Sequence, residues 1–338
     1  MKRLLITLLC ISAAAGAAVA VAVLTPVRIP TGAAEQIRLY TRNKPEAELT
    51  VAVVTADEIT LQAYGHDGKE IPVPDRYYEI GPVTRTFTGA VAAKAVEDGV
   101  LDLQSSVSEF LKLSAGAYRP SVYDLLTHSS AYASYAPEVS RLKRENPYNG
   151  ITGTQLVSDM NSFILKYPAP YLYADSDFGA AVLSTILAKV YDVDYYSILT
   201  LFIRNALGLE NTYVSVEGKI RDGWQWNYDD AYIGDLGLTS TVTDMAEYVR
   251  IFLAEPTAYI HRACDSLYEV NADLQTGYFW NISPKDWILS QSGSTGHYGA
   301  AVAVDKNRGI GVIVLSNYAD DRYGTAGGIA DAVLREAA

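Results

Sequence analysis

The segment from residue 79 to residue 101, EIGPVTRTFTGAVAAKAVEDGVL, constrains the fold of this chain more than any other. Gly81 gives the backbone freedom to turn, and Pro82 suits the first position of a helix, where its missing N–H is not needed. Apolar residues then recur at helical spacing for about four turns until Gly99, so one face of the helix belongs in a core. The first turn, which carries Arg85, is therefore predicted at the positive end of a buried helix. Such a position can hold a nucleophile or an anion.

Residues 81–89 read GPVTRTFTG. This run resembles the G-S-V-T-K-T-F-T-G of the serine β-lactamase and penicillin-binding-protein superfamily, in the branch of class C β-lactamases, D-Ala-D-Ala carboxypeptidases and related esterases. In that family the serine is the acylated nucleophile, and the lysine one turn later helps to deprotonate it. Here Pro82 stands at the serine position and Arg85 at the lysine position. Proline offers no nucleophile and arginine stays protonated, so the resemblance implies a member that has lost the usual mechanism.

Later segments resemble the same family in the same order along the chain, over roughly residues 48–334. They are LLTHSS at 125–130, ALGLENT at 206–212, GLTSTVTDM at 237–245 and GVIVLSN at 311–317. Each match is weak alone, but their order and spacing together predict the fold of the family.

The second catalytic element of the family is Y-x-N, and Tyr173-Ala174-Asp175 resembles it. Tyr173 is a candidate remnant of the general base. Asp175 replaces an amide that can donate a hydrogen bond by a carboxylate that only accepts, and we expect it to form an ion pair with Arg85. The alternative is an ordinary helix-capping aspartate beside a packed tyrosine.

The third element is K-T-G or H-x-G on the strand that lines the site, and Gln291-Ser292-Gly293 resembles it. The cation is lost at Gln291, whereas Ser292 keeps a hydroxyl and Gly293 keeps the backbone close to a ligand. The resemblance assigns these three residues and Asp175 to substrate binding. It predicts that they converge with Pro82, Arg85 and Tyr173 on one crevice.

The order of the predicted elements is a strand pair within residues 48–64, an irregular helical middle, and strands within residues 275–315. This order predicts an α+β sandwich, with one antiparallel sheet built from both chain termini, flanking helices, and an inserted helical lobe at about 105–270. We expect residues 46–338 to form this domain and residues 25–45 to be a linker.

The first 24 residues predict export. Lys2 and Arg3 precede a charge-free run over residues 4–24, which suits a signal peptide or a single-span membrane anchor. The expected location is therefore outside the cytoplasmic membrane, either anchored or secreted.

Composition excludes other classes of function. A formal charge of −12 and a pI near 4.8 argue against nucleic acid as a partner. Two cysteines, and four histidines without HExxH spacing, predict neither a metal site nor a cofactor. The sequence thus favours a pseudo-enzyme that binds a cell-wall (peptidoglycan-type) peptide or a protein partner. An active peptidase, β-lactamase or esterase that uses Tyr173 and Ser292 in a rearranged site is the alternative, and a purely architectural domain is a third.

Overall fold

The computed structural model describes residues 31–132, 145–162, 173–216, 223–322 and 324–337. The α-helices are α1 (Ala33–Thr41), α2 (Thr84–Glu97), α3 (Val107–Phe110), α4 (Val122–Leu126), α5 (Gly153–Ser162), α6 (Asp177–Tyr191), α7 (Tyr195–Leu201), α8 (Ile233–Leu236), α9 (Val242–Ala254), α10 (Ala258–Ala263) and α11 (Ala326–Glu336). The strands are β1 (Leu49–Val54), β2 (Ile59–Tyr64), β3 (Glu70–Ile71), β4 (Tyr78–Glu79), β5 (Tyr213–Val214), β6 (Leu238–Ser240), β7 (Tyr268–Asn271), β8 (Leu274–Gly277), β9 (Trp280–Ser283), β10 (Ile288–Ser294), β11 (Gly299–Asp305) and β12 (Ile310–Ser316). A 3₁₀ turn at Gly81–Val83 leads into α2, and a π-helical turn at Phe202–Ala206 follows α7.

The main sheet joins the two ends of the domain, as the sequence predicted. Within the described ranges its nine strands have the order β3-β2-β1-β12-β11-β10-β9-β8-β7, and all the pairings are antiparallel. The pair that joins the two ends is β1 with β12, in which Leu49 faces Ser316 and Val54 faces Gly311. The predicted α+β fold with an antiparallel sheet is therefore confirmed.

Helices cover both faces of this sheet, which explains why its central strands are almost continuously apolar. Along β12, Val312 and Val314 pack with α1 and α11, whereas Ile313 and Leu315 belong to the larger core. The larger core also contains the buried side of α2, including Phe87. The sheet is thus the middle layer of three.

The predicted linker over residues 25–45 is wrong where α1 forms. Ile37 and Tyr40 on this helix are buried against the sheet, and the hydroxyl of Tyr40 donates to the carbonyl oxygen of Tyr318 at 2.5 Å. The compact unit accordingly begins at Thr31, earlier than the predicted boundary at residue 46. The prediction of a linker rested on the prolines and charged residues of this segment, and they flank a short helix that has one buried face.

The region between β4 and β7 is mostly helical, but it also contains part of a second, three-stranded sheet of order β4-β6-β5. The helical lobe predicted at about 105–270 is therefore present in the described residues, and it includes α5. The leader at residues 1–24 lies outside the described parts of the chain. Among the helices that are described, none has the length and hydropathy that crossing a membrane requires.

Candidate active-site crevice

A crevice of about 300 Å³ lies where the start of α2 meets β10 and the helical region. Its lining residues come from six separate chain segments: Pro82, Arg85, Pro147, Tyr148, Asp175, Asp177, Trp224, Leu236 and residues 292–296. Five of the seven predicted site residues are among them, and the other two, Tyr173 and Gln291, are not.

Pro82 occupies the end of the crevice at the start of α2 and closes against β10. An added Cβ on Gly293 would lie 2.4 Å from Cγ of Pro82, so the proline ring rests directly on the glycine backbone. Gly81 has φ of +48°, a conformation that suits glycine and places the ring there. Pro82 brings neither a nucleophilic side chain nor a backbone N–H that could stabilise an oxyanion.

Arg85 is the centre of the crevice floor. Its side chain is buried, and each of its three guanidinium nitrogens donates to a different carboxylate: Nε to Asp235, Nη1 to Asp175 and Nη2 to Asp177. The predicted pair of Arg85 with Asp175 is therefore present, within a larger cluster. We call Arg85 and these three aspartates the arginine cluster.

The arginine cluster fixes the charge of Arg85. Burial alone would lower the pKa of Arg85, but the charges of Asp235, Asp175 and Asp177 outweigh burial and raise this pKa well above its ordinary value. Burial raises the pKa of Asp235 well above its ordinary range, and Arg85 opposes that shift only in part. Arg85 thus cannot serve as a base.

Tyr148 and His128 support the cluster from behind. The hydroxyl of Tyr148 donates to the second oxygen of Asp177 at 2.6 Å. Nδ1 of His128 accepts from the amide of Ser176 at 3.2 Å, so the neutral ring carries its hydrogen on Nε2, which lies 3.4 Å from Asp175. Burial lowers the pKa of His128 to about 4, and the ring is therefore neutral at physiological pH.

Tyr173 lies beside the cluster rather than in it. Its hydroxyl donates to Oδ1 of Asn281 at 3.1 Å, and its ring meets the edge of the His128 ring with centroids 6.0 Å apart. Burial raises the pKa of Tyr173, with a further contribution from Asp175, so the phenol is held in its protonated form. Tyr173 is therefore not among the residues that line the crevice, because its hydroxyl is engaged by Asn281 on β9. Its role as the remnant of a general base stays a prediction.

Gln291 also turns away from the crevice. Its Nε2 donates to the carbonyl oxygen of Phe279, and its Oε1 accepts the amide of Ser292, both at 2.9 Å. The two ends of the buried amide are therefore satisfied within the sheet. Ser292 does line the crevice, and its Oγ would lie 2.6 Å from a Cβ added to Gly327 on α11.

Reasoning from the sequence missed Asp177, Asp235, Tyr148, Trp224 and Glu79. Asp177 stands two residues after Asp175, and this short spacing could have indicated a second carboxylate near Arg85. Asp235 lies 150 positions from Arg85, and no local pattern joins them. Across the described ranges, no three His, Cys, Asp or Glu side chains are grouped so that they could hold a metal ion.

This arrangement, with a helix start facing a sheet strand beside a helical region, is that of the β-lactamase and transpeptidase-like fold. The sequence model of the Beta-lactamase family matches residues 40–334, and the chain belongs to that family of serine hydrolases. The predicted family resemblance is thus confirmed.

Curated relatives include two beta-lactamases. One from Providencia stuartii is 30% identical over 173 residues, which is 50% of this chain but only 42% of that relative. One from Pseudomonas fluorescens is 22% identical over 326 residues, covering 80% of this chain and 88% of that relative. The first match therefore spans less than half of the relative's length.

Solved structures share the fold at low identity. A beta-lactamase/D-alanine carboxypeptidase from Yersinia pestis, complexed with citrate, superposes with a TM-score of 0.72 at 19% identity, covering 89% of this chain and 94% of that one. An octameric penicillin-binding protein homologue from Pyrococcus abyssi gives 0.71 at 21% identity, covering 89% of this chain and 75% of that one.

Proposed function

We propose that this chain is a catalytically impaired, exported member of its family that binds a cell-wall peptide non-covalently in the crevice. The main support for the proposal is that neither of the two positions that hold the nucleophile and the base in this family holds such a residue here. Pro82 is packed on Gly293, and Arg85 is bound by three carboxylates. Covalent acyl transfer needs an activated nucleophile at the start of the helix, and neither residue provides one.

The charge of the crevice favours one class of ligand. Three carboxylates face one guanidinium in the arginine cluster, so the cluster stays negative even when Asp235 is protonated. Among the described lining residues Arg85 is the sole cation, and its charge is already matched. A carboxylate-ended ligand would find no cation here, whereas an ammonium group would be attracted.

Two further features support an ammonium-bearing peptide over a protein partner. The side chain of Asp175 lines the crevice and is 57% exposed. Tyr148 and Trp224 line the same cavity with ring centroids 5.9 Å apart, and aromatic faces attract cations. A volume of about 300 Å³ suits a side chain or a short peptide segment.

A matched pair of peptides tests this proposal. The probe is acetyl-Lys-D-Ala-D-Ala with an amidated C-terminus and a free ε-amine, titrated by calorimetry against the chain and compared with its ε-acetylated form. The free amine should bind at least several-fold more tightly, and added salt should reduce the difference. Asp175→Asn should reduce the difference in affinity between the two peptides. The control Asp98→Asn changes an exposed carboxylate at the far end of α2 and should leave that difference unchanged.

Two outcomes contradict the proposal. Equal affinity for the two peptides would remove the argument from charge, and no binding of either peptide at millimolar concentration would overturn peptide binding in the crevice. Export rests on the charge-free run at residues 4–24, and fractionation of cells that express the full chain would refute it by finding the protein in the cytoplasm.

A further inference from the structure

Glu79 lies directly behind the crevice, at the end of β4, and is only 3% exposed. Its Oε1 accepts the backbone N–H of Trp224, and its Oε2 accepts the hydroxyl of Thr295. Both donors belong to residues that line the crevice, and they come from different chain segments. One buried carboxylate thus joins two walls of the crevice.

The other hydrogen bonds of Thr295 leave the hydrogen of its hydroxyl group to be donated to Glu79. Its Oγ1 already accepts the amides of Tyr298 at 3.2 Å and His297 at 3.4 Å, and the amide of Thr295 closes the turn by donating to the carbonyl oxygen of Tyr298 at 2.9 Å. A hydroxyl has one hydrogen and two lone pairs, so its hydrogen is left for Glu79.

Protonation of Glu79 therefore weakens this arrangement. Each carboxylate oxygen accepts one of the two links, and the oxygen that takes the proton loses a lone pair and its share of the negative charge. The hydrogen bond to that oxygen then changes from a charge-assisted bond to a weaker neutral one. Both walls are held at full strength only by the ionised carboxylate.

We propose that Glu79 is a proton-sensitive link between the two walls, so that the crevice loosens when this residue is protonated. The proposal concerns the same crevice as the proposed function, and it adds that ligand affinity there depends on pH. The loosening of the walls itself requires no ligand.

The surroundings of Glu79 place this change in the physiological range. Burial raises the pKa of Glu79 to about 7, against the opposing effects of the hydrogen bonds from Thr295 and Trp224. None of the ion pairs among the described residues includes Glu79. Within three residues of Glu79 or Thr295 along the chain, the described titratable or charged side chains are those of Arg76, Tyr77, Tyr78, His297 and Tyr298, and Arg76 is paired with Glu48.

Hydrogen exchange of the full chain without ligand tests the link. Exchange is followed between pH 8.5 and 5.5 in peptides that cover residues 223–230 and 294–298, with correction for the intrinsic pH dependence of exchange. We expect protection in at least one of these segments to fall by about tenfold or more on acidification, with a midpoint near pH 7, as expected for the loss of one hydrogen bond to a charged group.

Two variants identify the group responsible. Glu79→Gln carries an NH₂ that meets one of the two donors, so it should show the low-protection state at every pH. The matched control Glu97→Gln, at the other end of α2, should behave as the wild type. If Glu79→Gln keeps the wild-type pH dependence, or if wild-type protection does not change with pH, the proposal is overturned.

Thr295→Val and Thr295→Ser keep the test decisive if Glu79→Gln unfolds. The serine variant retains the hydroxyl and should retain the pH dependence of residues 294–298, whereas the valine variant should lose it. Equal behaviour of the two variants would contradict the link. Because these measurements use no peptide, their failure leaves the peptide-binding proposal to its own test, and the reverse also holds.

Discussion

Replacement of Arg85 by methionine is the most informative single change, because it removes the cation that three carboxylates share. Hydrogen bonds to charged groups contribute about 1.5–3 kcal/mol each, but the three bonds of Arg85 are not additive and its burial offsets part of them. Asp175 is more than half exposed, so its bond contributes least. Removing one partner of a buried ion pair costs about 3–5 kcal/mol, and we expect Arg85→Met to lower the free energy of unfolding by that amount.

The loss should depend on pH. Without Arg85, the buried carboxyl of Asp235 has no opposing charge, and burial already raises its pKa well above the ordinary value. A carboxyl whose pKa is higher in the folded state than in the unfolded state loses stability as the pH rises. The variant should therefore be more strongly destabilised at pH 8 than at pH 5.

Urea unfolding followed by circular dichroism measures this loss of unfolding free energy. An unchanged m-value would show that the variant and the wild type expose the same amount of surface when they unfold. Arg262→Met is the matched control, because Arg262 forms an ion pair with Glu97 in which both side chains are about one third exposed. Its replacement should cost at most about 1 kcal/mol. A loss at Arg85 no greater than that of the control at pH 8 would refute the structural role of the arginine cluster.

Two further predictions concern the packing of the crevice. Gly293→Ala places a methyl group against the ring of Pro82 and should cost about 1–3 kcal/mol in urea unfolding; Pro82→Gly in the same chain should recover part of that loss, and no recovery would contradict the packing. Tyr148→Phe removes a buried donor from Asp177 and should cost about 1.5–3 kcal/mol, and a loss below about 0.5 kcal/mol would show that this bond is not formed.

The layout of the sheet could be predicted because the evidence for it is local. The strands β1, β11 and β12 are short, mainly apolar runs, and β2 is rich in residues that favour strands. Turn residues bound these runs, and the family segments fix their order. The helix α1 was missed because its buried stripe is short and is recognisable only when the sheet that covers it is known.

The crevice was predictable only in part, for a different reason. Pro82, Arg85, Asp175 and Gly293 stand at motif positions, and backbone position alone brings them together. The direction of a side chain within the motif is set by its neighbours, so Gln291 turns to the carbonyl oxygen of Phe279. Glu79 and Asp235 acquire their significance from partners far away in the sequence, which no local pattern reveals.

The central claim is that the crevice no longer performs covalent chemistry, and intact-mass analysis after incubation with a penicillin and with a fluorophosphonate tests it most directly. An active class C β-lactamase treated in parallel confirms that the reagents acylate. We predict no added mass on the wild-type chain, and only weak acylation of a Pro82→Ser, Arg85→Lys double variant, because the groups of such a site act as a unit and Asp175 and Gln291 remain changed. Stoichiometric acylation of the wild-type chain at a single residue of the crevice, such as Ser292, would contradict the claim and establish the alternative of an active enzyme with a rearranged site.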